Sequence, residues 1–413
     1  MKPMLWLALS WFVVLVPGVY AQAPESGGVI TALAISGLKR TKLPVAERPL
    51  KQFIGQEVEH LDMNAVHAAL MDTGILEPLT VEIQDAQAGD GKILTVEVRE
   101  KWSIFPLPVV FVSSESTSFG GFFIDTNAFG LNDKFFIGGM YASEGWMTAV
   151  AYMHNPVREG FPGWNLSGAF AQTEQHHKDQ HNEDLRRFNV NSFNTLAGLT
   201  YPVTDKLQAA LEVSYKQLIL QETEAPLAAP ESGARVIGIT AAITLRKSRW
   251  DGFLLAEESL SGNYTFMAGL ESPSFQVLRF RGIYEKSLFP GCKVNLHTGI
   301  LYEPAVPLLF ESSPMAVQIT ILPRSFSARH YGRASLGIEK YLLKIPGGVL
   351  STVVSYEAVY SSGSILGDQF DHGIVGGVFF YLSKIAIPAL GLGISYNIPA
   401  QYLQGSFSLG MSF

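Results

Sequence analysis

The carboxyl-terminal segment, from Gln404 to Phe413, alternates between two kinds of residue without a break. Its apolar positions are Phe407, Leu409, Met411 and Phe413, and the positions between them are Ser406, Ser408, Gly410 and Ser412. Because side chains of a β-strand point alternately to opposite faces, this pattern predicts a strand with one apolar and one polar face. Alone, such a strand would be prone to aggregation. Repeated along a chain, it is what a lipid-embedded β-barrel requires.

The same two-residue period recurs along the chain from Trp102 onward. Clear examples are 193–201, 236–245, 293–302 and 390–398. Together with a segment at 104–112, the pattern predicts a transmembrane antiparallel β-barrel of about 16 strands, each of roughly 10 residues. The strand number is expected to be even because single-chain bacterial barrels normally return to the side on which they start. The long polar stretches are expected to face outward: 174–187, 222–233 and 303–329.

The composition agrees with a membrane barrel more closely than with an ordinary soluble β-protein, which is the alternative. Charged residues make up 16 % of the 413 residues, against about 25 % in typical soluble domains. The chain also has 39 glycines and an aromatic content of 11 %. Its formal net charge of −7 indicates no nucleic-acid surface. The single cysteine, Cys292, excludes an intramolecular disulfide and is interpreted as a small residue where a strand begins.

The first 21 residues have the pattern of an export signal. Lys2 supplies a positive charge, Met4 to Val16 form an apolar stretch, and Val19-Tyr20-Ala21 has the small–x–small form of a cleavage site. The alternative is a retained helical anchor, but the apolar stretch is shorter than the roughly 20 residues that span a bilayer. We therefore expect 1–21 to be a signal peptide and the mature chain to have no transmembrane helix.

Residues 29–101 differ in character from the rest of the chain and predict a small α+β domain. We expect a strand at Val29–Ser36 and a first helix at Val45–Ile54, with Gly55 after it. Asp62 is expected to cap a second helix through Leu70, and Gly74 to end it. Two strands follow, Leu79–Ile83 and 93–98, joined by the turn signal Gly89-Asp90-Gly91. The predicted order is strand, helix, helix, strand, strand.

This order and its sequence landmarks resemble a POTRA domain, although a generic α+β domain is the alternative. The landmarks are Ile35-Ser36-Gly37-Leu38, Gly55, Leu70 with Gly74-Ile75-Leu76, and Val96-Glu97-Val98-Arg99-Glu100-Lys101. Unpaired backbone groups at a sheet edge can bind another chain as an added strand. The resemblance therefore implies that the module receives client polypeptides, with Leu79, Val81 and Ile83 on the candidate edge.

Residues 102–413 resemble the bacterial surface-antigen barrel of the outer-membrane insertase superfamily. Residues 120–130, with Asp125, Asn127 and Gly130, look like the opening hairpin of that family, and Asn155-Pro156 resembles the end of its third strand. The terminal Phe413, with the apolar row Phe407, Leu409 and Met411 before it, resembles the carboxyl-terminal signal that insertion machinery reads. Together the two resemblances cover most of the mature chain.

The resemblance also implies a set of functional side chains inside the barrel. The family carries an Arg-Gly-aromatic motif in a long loop that folds back into the barrel, and its arginine meets acidic residues on the inner wall. The nearest match here is Arg324-Ser325-Phe326, with Arg329 as the alternative arginine. The implied acidic partners are Glu339 and Glu357, the second in place of the usual aspartate. Buried guanidinium and carboxylate groups do require partners, but on the wall of a wet barrel both could simply be solvated.

Other clusters give no sign of catalysis. His176, His177 and His181 lie near several carboxylates, but their spacing matches no structural zinc pattern, so we interpret them as part of a solvated loop. The sequence contains no nucleophile elbow, Gly-rich phosphate loop or metalloprotease helix. We therefore predict a protein that is not an enzyme and needs neither cofactor nor metal.

The resemblance implies an outer-membrane protein that inserts, assembles or translocates polypeptides. Its barrel would lie in the bacterial outer membrane with the POTRA-like module in the periplasm. The implied partners are outer-membrane lipids, unfolded β-barrel or secreted clients, and periplasmic chaperones or accessory lipoproteins. Insertion would require a weakly paired seam between the first strand and 405–413, where Gly405 and Gly410 weaken the strand. The alternative is a passive channel or surface antigen that keeps this architecture without insertase activity.

Overall fold

The computed structural model of the protein describes residues 27–86, 91–112, 117–155, 161–224, 233–251, 254–364, 366–382 and 390–409. The predicted signal peptide, the Gly89-Asp90 part of the hairpin signal, and the terminal residues Met411 and Phe413 lie outside these ranges. Within the described ranges, none of the helices has the length and apolar character needed to cross a bilayer.

The amino-terminal module is a three-stranded sheet packed against short helices. Its elements are β1 (Val29–Ser36), α1 (Leu43–Glu47), 3₁₀ helices at Arg48–Phe53 and Val58–His60, α2 (Met63–Met71), β2 (Leu76–Asp85) and β3 (Gly91–Glu100). β3 lies in the middle of the sheet, parallel to β1 and antiparallel to β2. Leu50, Val66, Leu70, Leu94 and Val96 lie at the centre of the core. This element order matches the predicted one, while the assignment to the POTRA family stays a prediction.

The predicted first helix, Val45–Ile54, is wrong in its type. The chain forms a short α-helix at Leu43–Glu47 and continues as a 3₁₀ helix over Arg48–Phe53. Pro49 has no backbone N–H and its ring crowds the preceding turn, so a regular α-helix cannot pass through it. The second helix is as predicted: the Asp62 carboxylate accepts a hydrogen bond from the Asn64 amide at its amino terminus.

The two outer strands of the module differ in how their free edges are used. The edge of β1 is covered by the segment that follows Gly55: the Ile30 amide donates to the Gln56 carbonyl at 2.9 Å, and the Gly55 amide donates to the Ile30 carbonyl at 2.8 Å. β2 pairs with β3 on one side only, as far as the described residues extend. Leu79 is exposed on β2, whereas Val81 and Ile83 pack against the core. The predicted client edge is therefore the open edge of the sheet, and its binding role stays a prediction.

The carboxylate of Glu100, at the end of β3, shapes the loop that follows β1. Its oxygens accept hydrogen bonds from the amides of Lys39, Arg40 and Thr41, at 2.9, 3.0 and 2.7 Å. Burial by itself raises the pKa of Glu100, but the three amide donors outweigh it and lower the pKa below its usual value.

Acid should therefore loosen this loop. Because the pKa of Glu100 is lowered in the folded state, its stabilising contribution is present above the unfolded-state pKa and is lost as the pH falls through the folded-state pKa. We expect the amides of residues 39–41 to lose protection from hydrogen exchange on acidification, after correction for the intrinsic exchange rate. A Glu100→Gln variant should show weaker protection already at neutral pH and little further change with acid. Equal pH dependence in both proteins would contradict this role.

The rest of the chain forms one antiparallel sheet of sixteen strands in sequence order, which confirms the predicted strand number. The first eight are β4 (Ile104–Val112), β5 (Thr117–Ala128), β6 (Asp133–Ala142), β7 (Gly145–His154), β8 (Gly163–Lys178), β9 (Asp184–Pro202), β10 (Leu207–Glu224) and β11 (Ala234–Asp251). The others are β12 (Leu254–Gly269), β13 (Phe275–Phe289), β14 (Cys292–Tyr302), β15 (His330–Ile345), β16 (Gly348–Ser364), β17 (Gly367–Leu382), β18 (Leu390–Asn397) and β19 (Tyr402–Leu409). The end of the barrel at which β4 begins, next to the amino-terminal module, is called the near end below. The opposite end of the barrel is called the far end.

The two faces of the sheet have the character that the alternation predicts. On β14, Leu296 and Ile300 are exposed on the outer face, while Asn295 and His297 are buried on the inner face. The same division holds on β18, where Leu392 and Ile394 point out. An exposed apolar surface of this extent requires an apolar surrounding medium.

Two of the three stretches expected to be long outward loops, 174–187 and 303–329, have a different structure. Residues 174–187 are mostly strand, because β8 extends to Lys178 and β9 begins at Asp184. Most of the stretch 222–233 lies outside the described residues. The stretch 303–329 does not face outward: it folds back into the barrel.

Candidate functional site: the luminal plug and the barrel seam

Residues 303–329 connect β14 to β15 and fill part of the barrel lumen; this segment is called the plug. It contains two short 3₁₀ helices, Leu308–Phe310 and Pro314–Val317. Its apolar side chains form a buried cluster with the inner faces of the strands. The plug contributes Val306, Leu309, Phe310, Val317, Ile319, Ile321, Leu322, Phe326 and Ala328, and the wall contributes Phe188, Val190, Leu218, Val236, Phe275, Val277, Leu301, Tyr331, Val359 and Val375. An apolar core, and not a solvated loop, therefore occupies this part of the lumen.

The centre of the plug is attached to the wall at Glu357 on β16. The Glu357 Oε1 accepts hydrogen bonds from the backbone amides of Thr320 and Ile321, at 2.8 and 3.2 Å. Its Oε2 accepts a hydrogen bond from the Nε of Arg333 on β15, at 2.7 Å. Both side chains of this ion pair are almost fully buried, so each charge depends on the other for compensation.

The same peptide segment of the plug also contacts the last two strands. The Thr320 carbonyl accepts a hydrogen bond from the Nε2 of Gln404 on β19, at 3.0 Å, and another from the Ser395 hydroxyl on β18. Thr320 therefore joins the wall at β16 to the terminal strand through its two backbone groups.

On the opposite side of the lumen, the plug pairs with the end of β8. The Lys178 amide donates to the Ser325 carbonyl at 2.9 Å, and the Ser327 amide donates to the Lys178 carbonyl at 3.2 Å. The two segments meet as a short parallel bridge between Lys178 and Phe326. With the contacts at β16, β18 and β19, these bonds attach the plug to both sides of the barrel.

The described ion pair of Glu357 involves an arginine other than the two that the resemblance implies. Among the described residues, the arginine that pairs with Glu357 is Arg333 on the wall, whereas Arg324 is exposed. The alternative, Arg329, lies 3.5 Å from the plug residue Glu311. Arg324 lies in a turn that is closed by the hydrogen bond from the Phe326 amide to the Pro323 carbonyl, and this turn leaves its side chain exposed. Phe326 and Glu357 are both inside the barrel, and Glu357 receives an arginine from the wall and two backbone amides from the plug.

Glu339, the second predicted acidic partner, belongs to a different cluster. It lies 3.1 Å from Lys293 and accepts a hydrogen bond from the Tyr381 hydroxyl at 2.6 Å. Lys293 also pairs with Glu285 at 3.1 Å, and all three charged side chains are buried on the inner wall. These contacts link β13, β14, β15 and β17 on the inner wall, and the plug takes no part in those that the structure describes.

Hydrogen bonds and ring packing hold the histidine cluster in place. His176 Nδ1 lies 3.0 Å from Asp184, and the ring of His177 packs against Phe188 with 5.3 Å between ring centroids. His181 Nδ1 lies 3.3 Å from the Ala400 carbonyl, in the turn before β19. Within the described residues, no group of three or more potential ligands is arranged to hold a metal ion.

Three residues of this site were not found from the sequence: Arg333, Thr320 and Gln404. The period of two could have identified Arg333, because it shares the inner face of β15 with Ser335 and Glu339. Thr320 contributes its hydroxyl at 3.3 Å from the Glu357 carboxylate and, at shorter distances, two backbone groups, for which a sequence pattern gives no signal. Gln404 lies in the alternating terminal segment, where its polar side chain marks the inner face.

The first and last strands of the sheet form the second part of the site, which is called the seam. In the residues that the structure describes, β4 pairs with β5 alone and β19 pairs with β18 alone. The side chains of Phe407 and Leu409 are not described, although their backbone belongs to β19. Gly405 lies in the middle of β19, and a Cβ there would have no neighbour within 4 Å. The described parts of both strands therefore carry one row of backbone groups outside the sheet pairing.

Comparison with solved structures identifies the fold. BamA from Haemophilus ducreyi, lacking POTRA domains 1–3, is 12 % identical, with a TM-score of 0.53 over 92 % of this chain and 85 % of that one. CdiB from Acinetobacter baumannii is 14 % identical, with a TM-score of 0.61 over 93 % of this chain and 74 % of that one. CdiB from Escherichia coli is 11 % identical, with a TM-score of 0.56 over 96 % of this chain and 92 % of that one.

A scan against protein-family models gives no match, and a search of the curated proteins gives none either. The structural similarity therefore identifies the fold, and at these identities it identifies the fold alone. The chain has the barrel fold of BamA and CdiB, which confirms the fold that the sequence resemblance implied.

Proposed function

We propose that this protein inserts, assembles or translocates polypeptides at the outer membrane of a bacterium. The observation that carries the proposal is the seam. Within the described residues, β4 and β19 are the two edge strands of the sheet, and each pairs with a neighbouring strand along one edge only. Exposed strand edges bind further strands, and an edge that borders lipid favours a client strand that pairs there and turns its apolar face to the membrane. Client folding would itself drive the reaction, so no cofactor or catalytic group is required.

The placement in the membrane follows from the outer face of the barrel. Exposed leucine, isoleucine and aromatic side chains cover it, and hydrocarbon is the medium that accepts such a surface. The module at the near end would then lie in the periplasm. There the open edge of β2, at Leu79, Val81 and Ile83, would receive clients, with chaperones or accessory lipoproteins as further partners.

The plug supports transport of polypeptides over a passive channel, which is the second function that the sequence left open. A passive channel needs a continuous aqueous path, whereas the far half of this lumen contains an apolar core. Polypeptide insertion at the seam needs no open pore. The terminal phenylalanine and the apolar row before it stay a predicted insertion signal for this barrel.

The proposal can be tested with purified protein in liposomes and a urea-denatured outer-membrane barrel protein as the client. We expect the client to fold about tenfold faster than in empty liposomes, which corresponds to about 1.4 kcal/mol of barrier. Liposomes with a closed barrel of unrelated function are the matched control. Equal folding rates in the two preparations, together with a steady single-channel conductance, would support the passive channel instead.

A further inference from the structure

The opening hairpin contains Asp125, Asn127 and Gly130, which neither the plug nor the seam explains. All three lie at the near end, where β5 ends and turns into β6. There they meet the loop of residues 38–42 in the amino-terminal module. Contacts between the two parts come from six residues, which are together called the docking lock: Arg40, Thr41, Lys42, Asp125, Asn127 and Gly130.

The central contact of the docking lock is a bidentate ion pair between Arg40 and Asp125. The Arg40 guanidinium donates to both carboxylate oxygens of Asp125, at 3.1 and 2.5 Å, and its Nη1 also donates to the Ser103 hydroxyl at 2.9 Å. The Asp125 side chain is only 8 % exposed. A buried carboxylate in this geometry needs its partner, since removal of the guanidinium would leave an uncompensated charge.

A second set of contacts fixes the position of the loop against the turn. The Asn127 Nδ2 donates to the Thr41 hydroxyl at 2.8 Å, and the Lys42 amide donates to the Gly130 carbonyl at 2.9 Å. The Asn127 side chain is itself held in position, because its Oδ1 accepts a hydrogen bond from the Asn132 amide at 2.8 Å.

The loop of the module can come close to the turn between β5 and β6 because residue 130 is a glycine. Its φ is +72°, and a Cβ at this position would lie 2.2 Å from the Arg40 carbonyl oxygen. Both the backbone conformation and the close approach therefore require glycine.

The docking lock also holds the base of the first seam strand. Ser103 immediately precedes β4, and Asp125 is the register partner of Ile104, the first residue of β4. Arg40 thus bonds to the near end of β4 and to its only described neighbour, β5. On the module side, Glu100 fixes the backbone of the loop that carries Arg40.

We propose that the docking lock holds the module in one orientation beneath the first hairpin, and that Arg40 is a positioning residue that transmits displacement of the module to the base of β4. The second part rests on the proposed function of the seam. A client strand bound on the module would then change the position of the near end of β4.

The test uses the full chain in nanodiscs and two measurements that need no client. Hydrogen exchange at residue 42 reads the docked state, because its amide bonds to the barrel. Spin labels at His67→Cys and Lys134→Cys, in a Cys292→Ala background, report the distance between module and barrel. Arg40→Ala should speed exchange at residue 42 by about tenfold or more and broaden the distance distribution, since a hydrogen bond to a charged group is among the stronger ones. Arg40→Lys keeps the positive charge but cannot donate to both Asp125 oxygens with a planar guanidinium. Its exchange rate and distance distribution should lie between those of Arg40→Ala and the unchanged protein.

Lys39→Ala is the matched control, because it removes a neighbouring exposed cation and keeps the backbone bond to Glu100; it should change neither measurement. Gly130→Val disturbs the lock from the barrel side and should reproduce Arg40→Ala. Unchanged exchange and an unchanged distance distribution in both Arg40→Ala and Gly130→Val would overturn the lock. If both variants loosen the module but fold clients at the normal rate, the transmission to β4 is overturned while the proposed function stands.

Discussion

Glu357→Ala is expected to release the plug and open the barrel to ions. The substitution leaves the amides of Thr320 and Ile321 without their acceptor, and it leaves the buried Arg333 guanidinium without its counter-charge. Removing one partner of a buried ion pair typically costs about 3–5 kcal/mol. We expect the folded barrel to convert to its unfolded electrophoretic form at a lower temperature, and single-channel recordings to show larger and longer openings.

Glu339→Ala is the matched control, because Glu339 is an equally buried glutamate on the neighbouring strand. It pairs with Lys293 and Tyr381 on the wall, without a described contact to the plug. This variant should lower the thermal stability of the barrel while the conductance stays small. If both variants open the channel to the same extent, general loosening of the wall explains the result and the plug contact does not.

A double variant separates the two effects of Glu357. In Glu357→Ala with Arg333→Met, no buried charge is left unpaired, so much of the lost stability should return. The amides of Thr320 and Ile321 still lack their acceptor, so the conductance should remain raised. If both the thermal stability and the conductance returned to those of the unchanged protein, the unpaired charge of Arg333 would explain the effect of Glu357→Ala, and the lost amide contacts would not.

The period of two made most of the barrel predictable. It assigned Leu296 and Ile300 to the outer face and Asn295 and His297 to the inner face, because burial on one side of a strand repeats at every second residue. The sixteenth strand, at 104–112, followed from the expected even number. The first helix of the module was less predictable, because Pro49 changed its type without changing its place.

The long-range contacts of the site could not be predicted in the same way. Arg40 and Asp125 are 85 positions apart, and no local pattern relates them. The shortest hydrogen bonds from the plug to Glu357 come from backbone amides, which every residue except proline carries, so no side-chain motif marks them. The resemblance therefore led to Glu357, which does contact the plug, but it did not lead to Arg333, which pairs with it.

A covalent link across the seam is expected to abolish insertion of clients. Leu107→Cys on β4 would be combined in turn with Ser406→Cys and Ser408→Cys on β19, in a Cys292→Ala background that removes the native thiol. A disulfide needs Cα atoms within about 7 Å, so its formation also reports how closely the two edges approach. A longer thiol cross-linker replaces the disulfide wherever the latter does not form. In the oxidised state, client folding should slow to the rate seen with empty liposomes, and reduction should restore it.

Leu107→Cys with Phe122→Cys is the matched control, because these positions are register partners on β4 and β5, which already pair. That link adds a disulfide of the same kind without closing the seam, so client folding should proceed in both redox states. The comparison isolates the one step that the proposed function demands: an incoming strand must reach backbone groups that a closed wall would occupy. If clients still fold rapidly with the seam linked and the link is complete by mass spectrometry, they enter the membrane elsewhere on this protein, and the outer edges of the described parts of β4 and β19 are not the insertion site.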